Sequence, residues 1–139
     1  MQTEIIIAGF GGQGVLFAGQ VLAYAAMDSG KHVTWFPSYG PEMRGGTANC
    51  TVIIAEQEIG APFSARPNAI VALNGPSLDK YENEIAEGGI LIVNRSLVER
   101  PIERADLHVV EVHANQIAEE IGDKRLTNMV LIGALIEAL

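Results

Sequence analysis

Cysteine is nearly missing. Cys50 is the only one in 139 residues, which excludes a disulfide framework and an iron–sulfur cluster held by cysteine alone, since such a cluster takes four thiolates. Histidine is sparse as well: His32, His108 and His113 fall at no zinc-binding spacing, so no metal site is expected. Basic charge is short, with 9 Lys and Arg against 17 Asp and Glu and a formal net charge of −8. A nucleic-acid surface has to neutralise phosphates, and this chain has no cationic surplus to do so. Long apolar runs are lacking too. Val15 to Met27 contains Gly19 and Gln20 and stops short of the ~20 residues of a membrane span. Met1 to Glu4 carries no basic leader ahead of the apolar run Ile5 to Ala8. No nucleic acid and no membrane are expected as partners, and the expected location is cytoplasmic.

What is present is globular: 48% hydrophobic, 19% charged, with 15 Gly and 6 Pro. Disordered chains pair low hydrophobicity with high charge, which this is not. The length suits one domain over residues 1–139, with a core that needs no staples. Charge is placed unevenly. Up to residue 63 the charged side chains are Glu4, Asp28, Lys31, Glu42, Arg44, Glu56 and Glu58, and the rest lie beyond. A nearly charge-free first half suits buried strands or a surface covered by another chain.

Ile5-Ile6-Ile7-Ala8 reads as a strand buried on both faces. Gln13 to Ser29 reads as a helix that packs through Val15, Leu16, Gly19, Leu22, Ala23 and Ala26 and stops at Gly30. His32 to Phe36 is a second strand, ended by Pro37. Ala48 to Ala55 is strand-like and follows a loop, so it is expected to be antiparallel or at an edge. Ala69 to Leu73, Ile90 to Val93 and Leu107 to Val112 are further strands. Pro76 to Glu87, with proline in its first turn, Asn115 to Ile121 and Leu126 to Leu139 are helices. Strands alternating with helices, several of them continuous apolar runs, predict an α/β fold: a Rossmann-like open, mostly parallel sheet with helices on both faces.

Gly9-Phe10-Gly11-Gly12-Gln13-Gly14 satisfies G-x-G-x-x-G between the first strand and the first helix. Glycines permit a tight turn and close approach of a phosphate, and the helix N-terminus offers free N–H groups. A tight strand-to-helix turn without a ligand would use the same residues. A dinucleotide site also wants an acid at the end of the second strand, about 20 residues on. Thr34, Trp35, Phe36 and Pro37 stand there instead, and no arginine is present for a 2′-phosphate. No Gly-Lys-Ser/Thr follows, which excludes a P-loop. A second constellation, Pro37-Ser38-Tyr39-Gly40-Pro41-Glu42-Met43-Arg44-Gly45-Gly46, carries the only charges between residues 32 and 55. Loops so rich in Gly and Pro often carry function, and a solvated surface turn is the other reading.

GFGGQG, then FPSYGPEMRGGTANCTVIIA, then PNAIVALNGPSLDKYENEIAEGGILIVN together resemble the gamma subunit of the 2-oxoacid:ferredoxin oxidoreductases, of the pyruvate, 2-oxoglutarate or 2-ketoisovalerate type. The resemblance runs in order over residues 4–139. It implies a Rossmann-like subunit with no redox centre and no cofactor of its own. Thiamine diphosphate, Mg2+ and iron–sulfur clusters would sit on alpha, beta and ferredoxin-like partner subunits. The complex would oxidatively decarboxylate a 2-oxo acid, reduce ferredoxin as acceptor, and pass the acyl group to coenzyme A as co-substrate. In fused relatives the similar domain is implicated in holding coenzyme A. That makes Gly9, Phe10, Gly11, Gly12, Gln13, Gly14 and Asn94 candidate coenzyme A contacts, the diphosphate lying near the N-terminus of the first helix. Tyr39, Gly40, Pro41, Glu42, Arg44, Gly45 and Gly46 are candidates for a subunit interface or active-site loop. Catalytic residues are expected on other chains, and the isolated chain is expected to be inactive. Relatives usually continue past the helix Leu126 to Leu139, where this chain stops without a C-cap, so a missing C-terminal segment is expected. The alternative is a stand-alone Rossmann-type nucleotide-binding reductase.

Other residues read as structural. Cys50 is expected inert in the core, and Asn74-Gly75 a turn. Arg95, Arg100 and Arg104, beside Glu99 and Glu103, are expected to be a solvated face. Val130, Leu131, Ile132, Leu135, Ile136 and Leu139 wrap round the last helix, which predicts cover by a partner subunit or by a second copy.

Overall fold

The computed structural model describes residues 2–10, 14–38, 47–60 and 66–139. The elements run β1 (Gln2–Phe10), α1 (Val15–Asp28), β2 (His32–Ser38), β3 (Thr47–Ala55), β4 (Ala69–Ala72), α2 (Gly75–Tyr81), β5 (Ile90–Asn94), β6 (His108–Val112), α3 (Ala114–Ile121) and α4 (Thr127–Ala138). Short 3₁₀ turns, Glu82–Glu84 and Lys124–Leu126, follow α2 and precede α4.

One six-stranded sheet has the order β2-β3-β1-β4-β5-β6. The ladders β1–β4, β4–β5 and β5–β6 are parallel, and β3 is antiparallel to both β1 and β2. The α/β expectation is borne out, with helices on both faces. Ile5 and Ile7 of β1 face α1, α3 and α4, whereas Ile6 and Ala8 face α2. Both faces are covered, which is why β1 shows no polar alternation. β3 is antiparallel as expected, but it is inserted between β1 and β2 and is not an edge. The stretch 39–46 is too short for the crossover of a dozen or more residues that a parallel neighbour needs.

Several boundaries shift from the sequence expectation. β2 continues through Pro37 to Ser38, because it is an edge strand and an edge residue can lack an N–H without losing a ladder bond. α2 ends at Tyr81, well before Glu87, and tightens into the 3₁₀ turn. Just past that end Glu82 turns its carboxylate inward, only 3% exposed. It accepts from Arg100 Nη2 at 2.7 Å and from the backbone N–H groups of Glu103 (2.7 Å) and Arg104 (3.1 Å).

The expected solvated arginine face is therefore not what forms. Arg100 also pairs with Asp79, Arg104 with Asp106, and Arg95 with Glu111. Together these bonds tie the connection between β5 and β6 to α2. Burial works against the charge on Glu82, but the bonds from Arg100, Arg104 and Glu103 more than offset it and hold its pKa below the ordinary value. Arg104, with the N–H of Gly88, lowers the Asp106 carboxyl to about 2.

Candidate functional site

The parallel strands β1, β4, β5 and β6 all end on one rim, where open α/β sheets bind ligands. Gly9 and Phe10 are the last residues of β1. Gly14 caps α1 in the left-handed region, φ 74°, with no side-chain hydrogen bond to the helix start. Among the described residues no side chain accepts from the first N–H groups of α1, and such groups, which lack an intrahelical partner at any helix start, suit an anion. Gly11, Gly12 and Gln13 lie outside the described residues.

Asn94, at the end of β5, is fully buried. Its Nδ2 donates to Asn115 Oδ1 (3.0 Å) and to the Leu73 carbonyl (3.4 Å). Its Oδ1 accepts from the N–H groups of Ser96 and Ala114, both at 3.2 Å. The structure thus places Asn94 beneath the rim, joining the ends of β4 and β5 to the start of α3. Asn74 turns the chain after β4 as expected and caps α2, accepting from Ser77 N–H at 2.9 Å.

Sequence reasoning missed the residues that face Gly14 from the far end of the chain. A cleft of about 720 Å³ opens beside Gly14, walled by Asn115 of α3, by Lys124 and Arg125 of the turn before α4, and by Asn128 of α4 itself. Arg125 is paired with Asp123. Lys124 carries no ion pair among the described residues and leaves the cleft a surplus positive charge. Asn128 is 6% exposed and donates to the Gly14 carbonyl at 3.0 Å. A legible signal existed: Asn128 precedes Leu131, Ile132 and Leu135 at helical spacing, a lone amide on the face that packs. Among the described residues, a left-handed glycine at a helix start, an adjacent cleft and a lysine without an ion pair make an arrangement that attracts an anion.

The segment Tyr39, Gly40, Pro41, Glu42, Arg44, Gly45, Gly46 lies outside the described residues. The residues flanking it, Ser38 and Thr47, end β2 and start β3 on this same rim, where Thr47 stands opposite Phe10. β3 between β1 and β2 moves the end of β2 two strand spacings from β1, roughly 9–10 Å. In a dinucleotide fold β2 adjoins β1 and its terminal acid reaches the ribose. Here the end of β2 is distant and carries no acid.

A family model described as Pyruvate ferredoxin/flavodoxin oxidoreductase matches residues 4–139. The chain belongs to this family. The ketoisovalerate oxidoreductase subunit VorA of Methanothermobacter marburgensis is 40% identical over 97% of this chain and 28% of its own length. The 2-oxoglutarate synthase subunit KorC of the same organism is 40% identical over 99% of this chain and 78% of its own. The chain thus spans little more than a quarter of VorA. Among solved structures, the gamma subunit of a keto/oxoacid ferredoxin oxidoreductase from Geobacter sulfurreducens has a TM-score of 0.87 at 31% identity, covering 98% of this chain and 75% of that one. A 2-oxoglutarate:ferredoxin oxidoreductase from Magnetococcus marinus, solved with 2-oxoglutarate, coenzyme A and succinyl-CoA bound, has a TM-score of 0.87 at 25% identity, covering 96% and 24%. The motif-based resemblance to the gamma subunits of this pyruvate ferredoxin/flavodoxin oxidoreductase family is borne out.

Within this family member, Cys50 is fully buried, as expected, and burial raises its thiol to about 12. Among the described residues no cluster of His, Cys, Asp or Glu could hold a metal ion, and no helix is long and apolar enough to cross a membrane.

Proposed function

We propose that this chain is the gamma subunit of a thiamine diphosphate-dependent 2-oxoacid:ferredoxin oxidoreductase and forms part of its coenzyme A site. One observation carries the reading. The glycine-rich segment 9–14 ends at Gly14, which caps α1 without a side-chain hydrogen bond, beside a cleft whose Lys124 has no ion pair among the described residues, while the end of β2 is displaced and lacks the acid a nicotinamide dinucleotide needs. Coenzyme A supplies the thiol that accepts the acyl group. Gly9 to Gly14 receives its diphosphate at the start of α1, and Asn94 shapes the rim from below. Thiamine diphosphate, Mg2+ and the iron–sulfur clusters belong to the alpha, beta and ferredoxin-like subunits, with ferredoxin as acceptor. The relative solved with coenzyme A and succinyl-CoA supports this ligand.

The chain also supplies assembly contacts. Phe17, Tyr24 and Met27 are each more than half exposed along α1, a helix whose only charge is Asp28. On α4, Ile136 is likewise exposed on the side away from Leu131 and Leu135, which keeps the expectation of cover by a partner or a second copy. The stand-alone reductase reading finds no support in the displaced, acid-free end of β2.

The test is reconstitution with alpha, beta and ferredoxin-like subunits. The complex is expected to reduce ferredoxin with a 2-oxo acid and coenzyme A, and the isolated chain to do neither. Oxidation of NADH or NADPH by the isolated chain would overturn the assignment.

A further inference from the structure

Resting on the reading that the glycine-rich segment holds coenzyme A, we propose that Asn128 is a positioning residue that fixes Gly14, at the start of α1, from the far end of the chain. Its amide is nearly buried on a face of α4 otherwise made of Leu131, Ile132 and Leu135. A buried amide must find partners, and this one bonds across 114 residues to the Gly14 carbonyl, at 3.0 Å. The same carbonyl accepts from Ala18 N–H at 2.9 Å, the first bond of α1. One lone pair is thus used by the helix it starts and the other by α4. The contact is steric as well. A Cβ on Gly14 would collide with the Asn128 amide, and the left-handed φ of 74° independently disfavours a side chain there.

Gly14 is held by its torsion, by the volume of Asn128 and by a hydrogen bond. The peptide that follows Gly14 points the first free N–H groups of α1 at the rim, so a rotation at Gly14 would turn them away from a bound phosphate. The role assigned to Asn128 runs through its bond to the Gly14 carbonyl.

The experiment uses the assembled complex. Asn128→Ala is expected to raise the KM for coenzyme A roughly two- to tenfold, the range for loss of one uncharged hydrogen bond. The kcat at saturating coenzyme A and the KM for the 2-oxo acid are expected to stay unchanged. Asn128→Asp, isosteric but unable to donate, gives the same direction and serves if the alanine variant does not assemble. Gly14→Ala is expected to raise the KM more in the native background than in Asn128→Ala, because the second variant removes the collision. A lowered melting temperature with unchanged KM for coenzyme A, or strictly additive effects of the two substitutions, would overturn the positioning role. Gly12→Val, run in parallel, separates the two levels. If it raises the KM and the Asn128 variants do not, only the positioning role falls. If it leaves the KM unchanged, the coenzyme A reading falls and this inference with it.

Discussion

The sulfur of Cys50 lies in the space that a Cβ on Gly19 would occupy, and the indole Nε1 of Trp35 would stand 2.9 Å from the same point. α1 thereby lies tight against β3 and β2. Gly19→Ala is expected to destabilise the fold by about 1–3 kcal/mol, the usual cost of overpacking, even though alanine gains up to about 1 kcal/mol over glycine in a helix. Urea denaturation measures the difference. Adding Cys50→Ala should recover part of the loss, and a stabilised Gly19→Ala would show that α1 does not pack this closely.

The same burial silences the thiol. With its pKa pushed up to about 12, Cys50 stays protonated at pH 8, and the thiolate is the reactive form. Alkylation of the native chain at pH 8 should proceed only as fast as the protein unfolds. Rapid labelling under native conditions would contradict the burial.

The Glu82 knot makes a pH prediction. Its folded pKa lies below its ordinary 4.5, and that of Asp106 falls from 3.8 to about 2. The stabilisation from such depressed carboxyls is complete above the unfolded values and is lost as pH falls through the folded ones. Exchange protection of the Glu103 and Arg104 amides should decline below pH 4.5 and be flat between pH 6 and 8. Glu82→Gln is expected to cost about 2–4 kcal/mol, since it breaks a buried charge-assisted cluster. Protection that is independent of pH down to 2 would refute the assignment.

For assembly, Tyr24→Glu is the informative change. Tyr24 is 65% exposed, so the substitution should leave the melting temperature of the isolated chain within about 0.5 kcal/mol of equivalent stability. It should nevertheless abolish co-purification with the alpha and beta subunits. Undiminished co-purification would place the interface elsewhere.

Much of this was legible in the sequence, and the physical reason is plain at each place. Apolar runs such as Ile5 to Ala8 and Ile90 to Val93 announce strands buried on both faces, and Gly30 marks the end of α1 because its φ is 87°. Neighbour relations in the sheet were less legible. The Ser38–Thr47 connection shows that β3 turns back, but the choice between an edge place and insertion beside β1 depends on pairing across the whole sheet. Arg95, Arg100 and Arg104 read as solvated because their partners Glu111, Asp79, Glu82 and Asp106 lie on other elements or past a turn. Asn94 is marked as a candidate contact by its place at a strand end, but its bonds to Leu73, Ala114 and Asn115 run inward. Asn128 was missed because a contact spanning 114 residues leaves only one local trace, an amide on an apolar helix face.

The most direct measurement is the KM for coenzyme A of the assembled complex carrying Gly12→Val. A branched side chain between Phe10 and Gly14 would obstruct the close backbone approach that a diphosphate needs. The account predicts a clearly raised KM for coenzyme A, with decarboxylation of the 2-oxo acid in the absence of coenzyme A nearly intact. Loss of decarboxylation with an unchanged dependence on coenzyme A would contradict it, and would assign the glycine-rich segment to the thiamine site or to subunit packing.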